Sequence, residues 1–362
     1  MTKKLTILAD ENIPDLQSFC GNWADITLMP GREISAKHLS NIDILFVRSV
    51  TQVNAALVGS SNIRFVASAT IGLDHIDKCY LKQQNIGFAY APGCNANAVV
   101  DYVMASILHH YSNELLQTLK VGIVGYGNVG SRLAKCLQHF DLDYRFYDPL
   151  IDPPILPENQ TAKKTLPRVA SLDKLLDCDI ISLHVPITRT GLHPTYHLIN
   201  QDILAKLPNG SLMINSSRGP VVDNTQLKNA LEQRVDISAV LDVWEGEPNI
   251  DLDLYSLCSL ATAHIAGYSI EGKRRGTTAI VNAAMDYFAI NKDKIVDDQS
   301  GYQLQQFNSL AEYRTALESV YQLKQDSDNF KAAFVNSKNK AAAFDHYRKT
   351  YPLRSEINYS ND

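Results

Sequence analysis

The stretch Val121-Gly122-Ile123-Val124-Gly125-Tyr126-Gly127-Asn128-Val129-Gly130 decides the fold. Its first four residues form a short apolar run that reads as a buried strand, stopped by Gly125-Tyr126-Gly127. Gly130 then opens the amphipathic run Ser131-Arg132-Leu133-Ala134-Lys135-Cys136-Leu137. The order is strand, tight glycine turn, helix. Glycines at Gly125 and Gly127 let backbone N–H groups approach a pyrophosphate, and the helix N-terminus adds partial positive charge. Glycines also mark ordinary turns, so the pattern needs context. A second strand, Tyr144-Arg145-Phe146-Tyr147, supplies it by ending at Asp148, about 20 residues on. An acid there can accept from the ribose hydroxyls of NAD and repel the 2′-phosphate of NADP. The stretch predicts an α/β dinucleotide domain with NAD as its cofactor.

Working outward, 362 residues of which 45% are hydrophobic predict two or three domains with ample core. A formal charge of −5 without a basic tract argues against a nucleic-acid partner. No apolar run approaches the ~20 residues of a membrane span, and Met1-Thr2-Lys3-Lys4 does not open a signal peptide. The six cysteines (Cys20, Cys79, Cys94, Cys136, Cys178, Cys258) show neither CxxC spacing nor a His/Cys cluster. They read as reduced thiols of a cytoplasmic protein, and no metal site is expected.

Residues 1–95 alternate apolar strands (Leu5–Ala9, Ile26–Met29, Ile42–Val47, Phe65–Ser68, Gly87–Tyr90) with short helical segments, which predicts a small parallel sheet. Ser49 and Thr70 follow two of these strands, where such sheets bind ligands; spacing alone favours turn and cap roles for them. After Pro92-Gly93 a helix is expected from about Ala96 to Leu116, apolar on more than one side. His109 and His110, adjacent on it, point in different directions and read as structural. In the dinucleotide unit, strands are expected at Ile180–Val185, Ser211–Asn215 and Ala239–Val243, with a proline-rich loop (Pro149, Pro153, Pro154, Pro157) after Asp148. His184 reads as packing that loop edge. The last ~70 residues change character and carry Leu310, Tyr313, Leu317, Val320 and Tyr321, the pattern of an ordered add-on that packs on something.

Three charged residues fall just past strands on the carboxyl side, where catalytic groups converge: Arg218, Glu247 and His264. Arginine binds a carboxylate through a planar fork. Histidine takes a proton from an alcohol near neutral pH, and a neighbouring glutamate favours its charged form and fixes its orientation. The set suits oxidation of a 2-hydroxy acid, with Asp242 toward the nicotinamide.

Four runs, Gly125-Tyr126-Gly127-Asn128-Val129-Gly130, Ser217-Arg218-Gly219-Pro220-Val221-Val222-Asp223, Asp242-Val243-Trp244-Glu245-Gly246-Glu247-Pro248 and His264-Ile265-Ala266-Gly267-Tyr268, resemble the D-isomer-specific 2-hydroxyacid dehydrogenases. Val47-Arg48-Ser49-Val50-Thr51, Ala69-Thr70-Ile71-Gly72-Leu73-Asp74-His75, Ala91-Pro92-Gly93-Cys94-Asn95 and the closing run to Arg354 resemble one branch, whose substrate is a small phosphorylated 2-hydroxy acid. The resemblance spans nearly the whole chain. It implies Arg218, Glu247 and His264 as catalytic, and Ser49, Thr70 and Tyr268 as substrate-binding. It also implies Gly125, Gly127, Asn128, Val129, Asp148, Val185, Ser216, Ser217, Asp242 and Gly267 as NAD contacts. Val185 stands where the family often has threonine, so a methyl or backbone contact replaces a hydroxyl bond. The implied architecture is a Rossmann-type NAD domain (96–265), a discontinuous flavodoxin-like substrate domain (1–95 and 266–290) and a small C-terminal α+β domain (291–362) that makes a homodimer. Ser355-Glu356-Ile357 departs from the more basic family tail. A substrate phosphate asks for cations: Arg48 of the same subunit, with Arg348 or Arg354 from a partner. Related chemistry on 3-phosphoglycerate, glycerate or hydroxypyruvate, and an NAD-sensing binding protein on the same fold, remain open alternatives.

Overall fold

The computed structural model describes residues 4–151, 168–296 and 301–359. Pro153, Pro154 and Pro157 of the expected loop lie outside the described residues. The chain divides into two compact units, Met1–Asn95 with Tyr268–Ser300, and Ala96–Gly267 with Gly301–Asp362.

The first unit is a five-stranded parallel sheet: β1 (Leu5–Asp10), β2 (Ala24–Met29), β3 (Ile44–Val47), β4 (Phe65–Ser68) and β5 (Gly87–Tyr90). Its order, β2-β1-β3-β4-β5, is the flavodoxin-like one. β3 and β4 are buried throughout, and their residues are apolar except Ser68, which ends β4. The helix Ile270–Tyr287, capped by Ser269, buries Ile280, Val281, Ala284 and Met285 among Ile7, Phe46 and Phe65. The order reverses between β1 and β3, so their carboxyl ends frame the crevice where open α/β sheets take ligands.

The second unit is a six-stranded parallel sheet: β6 (Lys120–Val124), β7 (Asp143–Tyr147), β8 (Ile180–Leu183), β9 (Leu212–Asn215), β10 (Ser238–Leu241) and β11 (Leu260–Ala261), in the order β11-β10-β9-β8-β6-β7. Alternate residues supply two apolar layers: Ile180, Leu212, Ile214 and Val240 face one, and Ile181, Leu183, Met213 and Leu241 the other. The switch point lies between β6 and β8, at the glycine turn. The helix Ala96–His110 is almost wholly buried. It ends short of the expected Leu116 because Ser112 caps a separate helix, Asn113–Leu116, accepting from Leu115 N at 3.2 Å. Helices Leu310–Val320, Leu323–Val335 and Lys340–Thr350 pack into the same two layers through Tyr313, Leu317, Phe330, Phe334 and Phe344. The strand component expected beside them is a single parallel bridge, Gln303–Asn358. All six cysteines are free. Among the described residues no helix is long and apolar enough to cross a membrane.

Candidate active site

The glycine turn forms a cradle by backbone alone. Gly125 has φ +91, and a Cβ there would meet His184 O at 2.6 Å. A Cβ on Gly130 would sit 2.0 Å from Gly125 O, so only glycine lets the helix Asn128–His139 start this close to β6. Gly127, by contrast, faces open space. The helix begins without a side-chain cap, leaving its first N–H groups to an anion. Asn128 and Gly127 are exposed, and Val129 is half-buried. Asp148 accepts from Tyr126 N at 2.8 Å and from Leu150 N at 2.9 Å, so it also braces the turn. Val185 Cγ1 lies 2.8 Å from the Cβ position of Gly125 and walls the cradle. His184 bonds Ser182 Oγ at 2.9 Å, and burial pushes its imidazole down to about 3, so it stays neutral and structural. Ser216 Oγ, past β9, is buried without a hydrogen-bond partner. An open glycine, an uncapped helix start and an orphaned hydroxyl fit a dinucleotide.

Asn215, the last residue of β9, organises the next loop. Its Oδ1 accepts from Ser217 N (3.1 Å) and Ser217 Oγ (2.9 Å), and its Nδ2 donates to Arg218 O at 3.0 Å. Ser217 is thereby turned inward. Arg218 Nη1 donates to Ser217 O at 2.8 Å, and the side chain is half-buried.

Glu247 and His264 come together from separate loops. His264 Nδ1 and Glu247 Oε2 are 2.8 Å apart, and Glu247 Oε1 accepts from Trp244 N at 2.7 Å. Burial pushes the Glu247 carboxyl up. His264, Arg348 and the Trp244 N–H outweigh it and hold the group below the usual carboxylate range. Arg348 therefore acts on Glu247 of its own chain. His264 has φ +58, a left-handed backbone rare for a non-glycine residue. Asp242 holds it there. His264 N donates to Asp242 O (2.7 Å), and the Asp242 carboxylate accepts from Ile265 N (2.7 Å), Ala266 N (3.0 Å) and Thr262 Oγ1 (2.7 Å). Burial pushes that carboxyl up, against His264 and these donors. Gly267 closes this loop.

Sequence reading missed His197, which ties the Arg218 and Glu247 loops together. Its N donates to Pro220 O at 2.8 Å, Nδ1 lies 3.4 Å from Asp223, and Nε2 lies 2.9 Å from Glu245. Arg354, expected as a phosphate ligand from a partner, is instead buried in its own subunit. It bonds Asp101 Oδ2 (3.0 Å), Ala98 O (2.8 Å) and Ala266 O (3.2 Å), and lies 3.7 Å over the Tyr321 ring.

In the first unit Ser49 is exposed in the turn after β3. Thr70 Oγ1 bonds Ser68 Oγ at 2.7 Å, and Ser68 Oγ lies 3.0 Å from His75 Nε2, so a buried relay holds the Thr70 hydroxyl. Tyr268 precedes the helix Ile270–Tyr287, and Lys273 Nζ lies 5.3 Å from its ring centroid.

Residues 97–266 match the D-isomer specific 2-hydroxyacid dehydrogenase, NAD binding domain. The erythronate-4-phosphate dehydrogenase of Pseudomonas putida is 41% identical over 98% of this chain and 93% of its own length. That of Cellvibrio japonicus is 39% identical over the same shares. The NAD+-bound 3-phosphoglycerate dehydrogenase of Entamoeba histolytica shares the fold, with a TM-score of 0.67 at 19% identity over 82% of this chain and 99% of its own.

Proposed function

Since the chain belongs to the erythronate-4-phosphate dehydrogenases, within the D-isomer-specific 2-hydroxyacid dehydrogenases, we propose how its residues perform that family's reaction. The reaction is oxidation of 4-phospho-D-erythronate by NAD to (R)-3-hydroxy-2-oxo-4-phosphooxybutanoate, a step in the biosynthesis of pyridoxal 5′-phosphate. The observation that carries the mechanism is the 2.8 Å bond between Glu247 and His264. An ionised Glu247 can only accept, so Nδ1 carries the hydrogen and Nε2 keeps its lone pair. Nε2 then takes the proton of the C2 hydroxyl, and Glu247 stabilises the imidazolium that forms. Arg218 holds the substrate carboxylate and polarises the C2 oxygen. NAD, when bound, accepts the hydride that leaves C2. The turn Gly125, Gly127, Asn128 and Val129 would hold its pyrophosphate and Asp148 its ribose, with Val185, Ser216, Ser217, Asp242 and Gly267 around the remainder. Ser49, Thr70 and Tyr268 bind the substrate. A homodimer formed through 291–362 and a cytoplasmic location complete the reading and rest on family resemblance.

A panel of 4-phospho-D-erythronate, 3-phosphoglycerate, glycerate and hydroxypyruvate, followed by NADH absorbance, tests it. The expected outcome is a clear preference for 4-phospho-D-erythronate, with His264→Ala lowering kcat about 10²–10⁴-fold. Preference for another acid overturns the substrate. NAD binding without turnover of any of them points to a sensing protein. A loss below about tenfold in His264→Ala removes the general base.

A further inference from the structure

Two cations, Arg48 after β3 and Lys273, act on each other, and among the described residues neither forms an ion pair with a carboxylate. Arg48 directly follows β3, and Lys273 stands on the second turn of the helix Ile270–Tyr287. Both are half-buried. Lys273 Nζ lies 5.3 Å from the centre of the Tyr268 ring, and its ammonium is repelled by Arg48. Among the described residues, neither side chain makes a hydrogen bond or an ion pair within 4.0 Å. Their neighbours in sequence do: Arg275 Nε donates to Cys94 O at 2.9 Å, and Arg274 Nε lies 3.9 Å from Asp15.

Lys273 is placed against two further electrostatic preferences. A cation near a helix N-terminus opposes the macrodipole, which favours anions there. Burial, then Arg48, push its ammonium down to about 8, while Asp10 pulls the other way. Asp10 is fully buried at the end of β1, and its Oδ2 has no hydrogen-bond partner. Its Oδ1 already accepts from Asn12 N (2.8 Å) and Asn12 Nδ2 (3.1 Å). The charges acting on Lys273 are thus one cation, Arg48, and one carboxylate, Asp10, in the crevice where a flavodoxin-like sheet takes its ligand. Partly desolvated like charges disfavour each other until a counter-charge arrives.

We propose that Lys273 and Arg48 form the subsite for the substrate's 4-phosphate, a phosphomonoester dianion. The assignment deepens the function read above and rests on it, with the substrate carboxylate already given to Arg218. Arg48 supplies a planar fork to two phosphate oxygens, and Lys273 a point charge to the third.

The test uses the full chain and three variants: Lys273→Gln, Lys273→Arg and Arg48→Gln. The first readout is the ratio of kcat/KM for 4-phospho-D-erythronate to that for D-erythronate. Lys273→Gln and Arg48→Gln are each expected to lower the ratio about tenfold or more, the scale of one charge-assisted contact, and Lys273→Arg to keep most of it. The second readout is the upward shift of the thermal midpoint produced by millimolar inorganic phosphate without NAD, expected in the parent and lost in Lys273→Gln and Arg48→Gln. An unchanged ratio in both glutamine variants, or equal protection by phosphate in parent and variants, overturns the subsite. Should Lys273→Gln fail to fold, Arg48→Gln decides by the same readouts. If the parent prefers another acid, the substrate reading fails, and phosphate protection still decides the subsite.

Discussion

At Glu247 two opposed effects on one carboxyl can be ranked. Burial disfavours its charge, but His264, Arg348 and the Trp244 N–H prevail. The ionised form then fixes which His264 nitrogen is basic, so one electrostatic balance sets the nitrogen that the proposed mechanism uses. Lys273 is the opposite case, because burial and Arg48 prevail over Asp10 and bring its ammonium down to about 8 from 10.5. The sign of the pH effect follows. Below pH 8 Lys273 is charged and ready for a dianion. Above it the free protein has lost the proton and binding must recover it, so KM for 4-phospho-D-erythronate rises with pH, by at most about tenfold per unit. KM for D-erythronate is expected to lack that rise, and Lys273→Arg to flatten it. KM profiles from pH 7 to 10 for both acids check this; parallel profiles in parent and Lys273→Arg would contradict it. This residue-scale detail was hidden in the sequence. Within Glu271-Gly272-Lys273-Arg274-Arg275, only the fold shows that Arg274 and Arg275 have partners while Lys273 is repelled by Arg48.

At the scale of elements, the strands and the glycine turn were legible because each leaves a local signature: an apolar run, a stop, then helical periodicity. Glu247 and His264 were legible for a related reason, since each sits just past a strand whose carboxyl end must face the cofactor. Asn215 and His197 were not. Asn215 looks like a strand residue, and His197 meets Glu245 across 48 positions of sequence. The turn allows a prediction that separates packing from binding. A methyl on Gly130 would press on the carbonyl of Gly125, a backbone atom that cannot swing aside. Gly130→Ala should lower stability by about 1–3 kcal/mol, the usual cost of overpacking. Gly127 has φ −78 and open space around it, so Gly127→Ala should cost less than about 1 kcal/mol, the scale of an N-cap change. On the proposed pyrophosphate site its methyl nevertheless intrudes, and Kd for NAD should rise about tenfold or more. Thermal melts and calorimetric NAD titrations of the two variants check the contrast. Equal NAD affinity in Gly127→Ala and parent would remove the pyrophosphate from this turn.

Across the whole molecule, the C-terminal segment is where sequence reading had least to work with. Arg354 stands in a polar tail with no periodicity around it, and alone it reads as a solvated charge or a hand extended to a phosphate. Its partner Asp101 is 253 residues away, on the helix Ala96–His110. Tyr359 OH donates to Asp101 Oδ1 at 2.6 Å, and Ile357 N donates to Oδ2 at 3.2 Å, so the tail closes around one buried carboxylate. Burial pushes the Asp101 carboxyl up, and Arg354 and Tyr359 counter it. Arg354 also donates to Ala266 O, two residues past His264, which wires the tail to the His264 loop. Removing one member of such a pair leaves the other buried and uncompensated, so Arg354→Met and Asp101→Asn should each lower unfolding free energy by about 3–5 kcal/mol. Replacing both by apolar residues should cost much less than the sum, because no unpaired charge is then left inside. Urea unfolding of the two single variants and the double variant measures this. Additive losses would mean that the two side chains act independently. A loss below about 1 kcal/mol in Arg354→Met would place this arginine among the surface charges its sequence suggests.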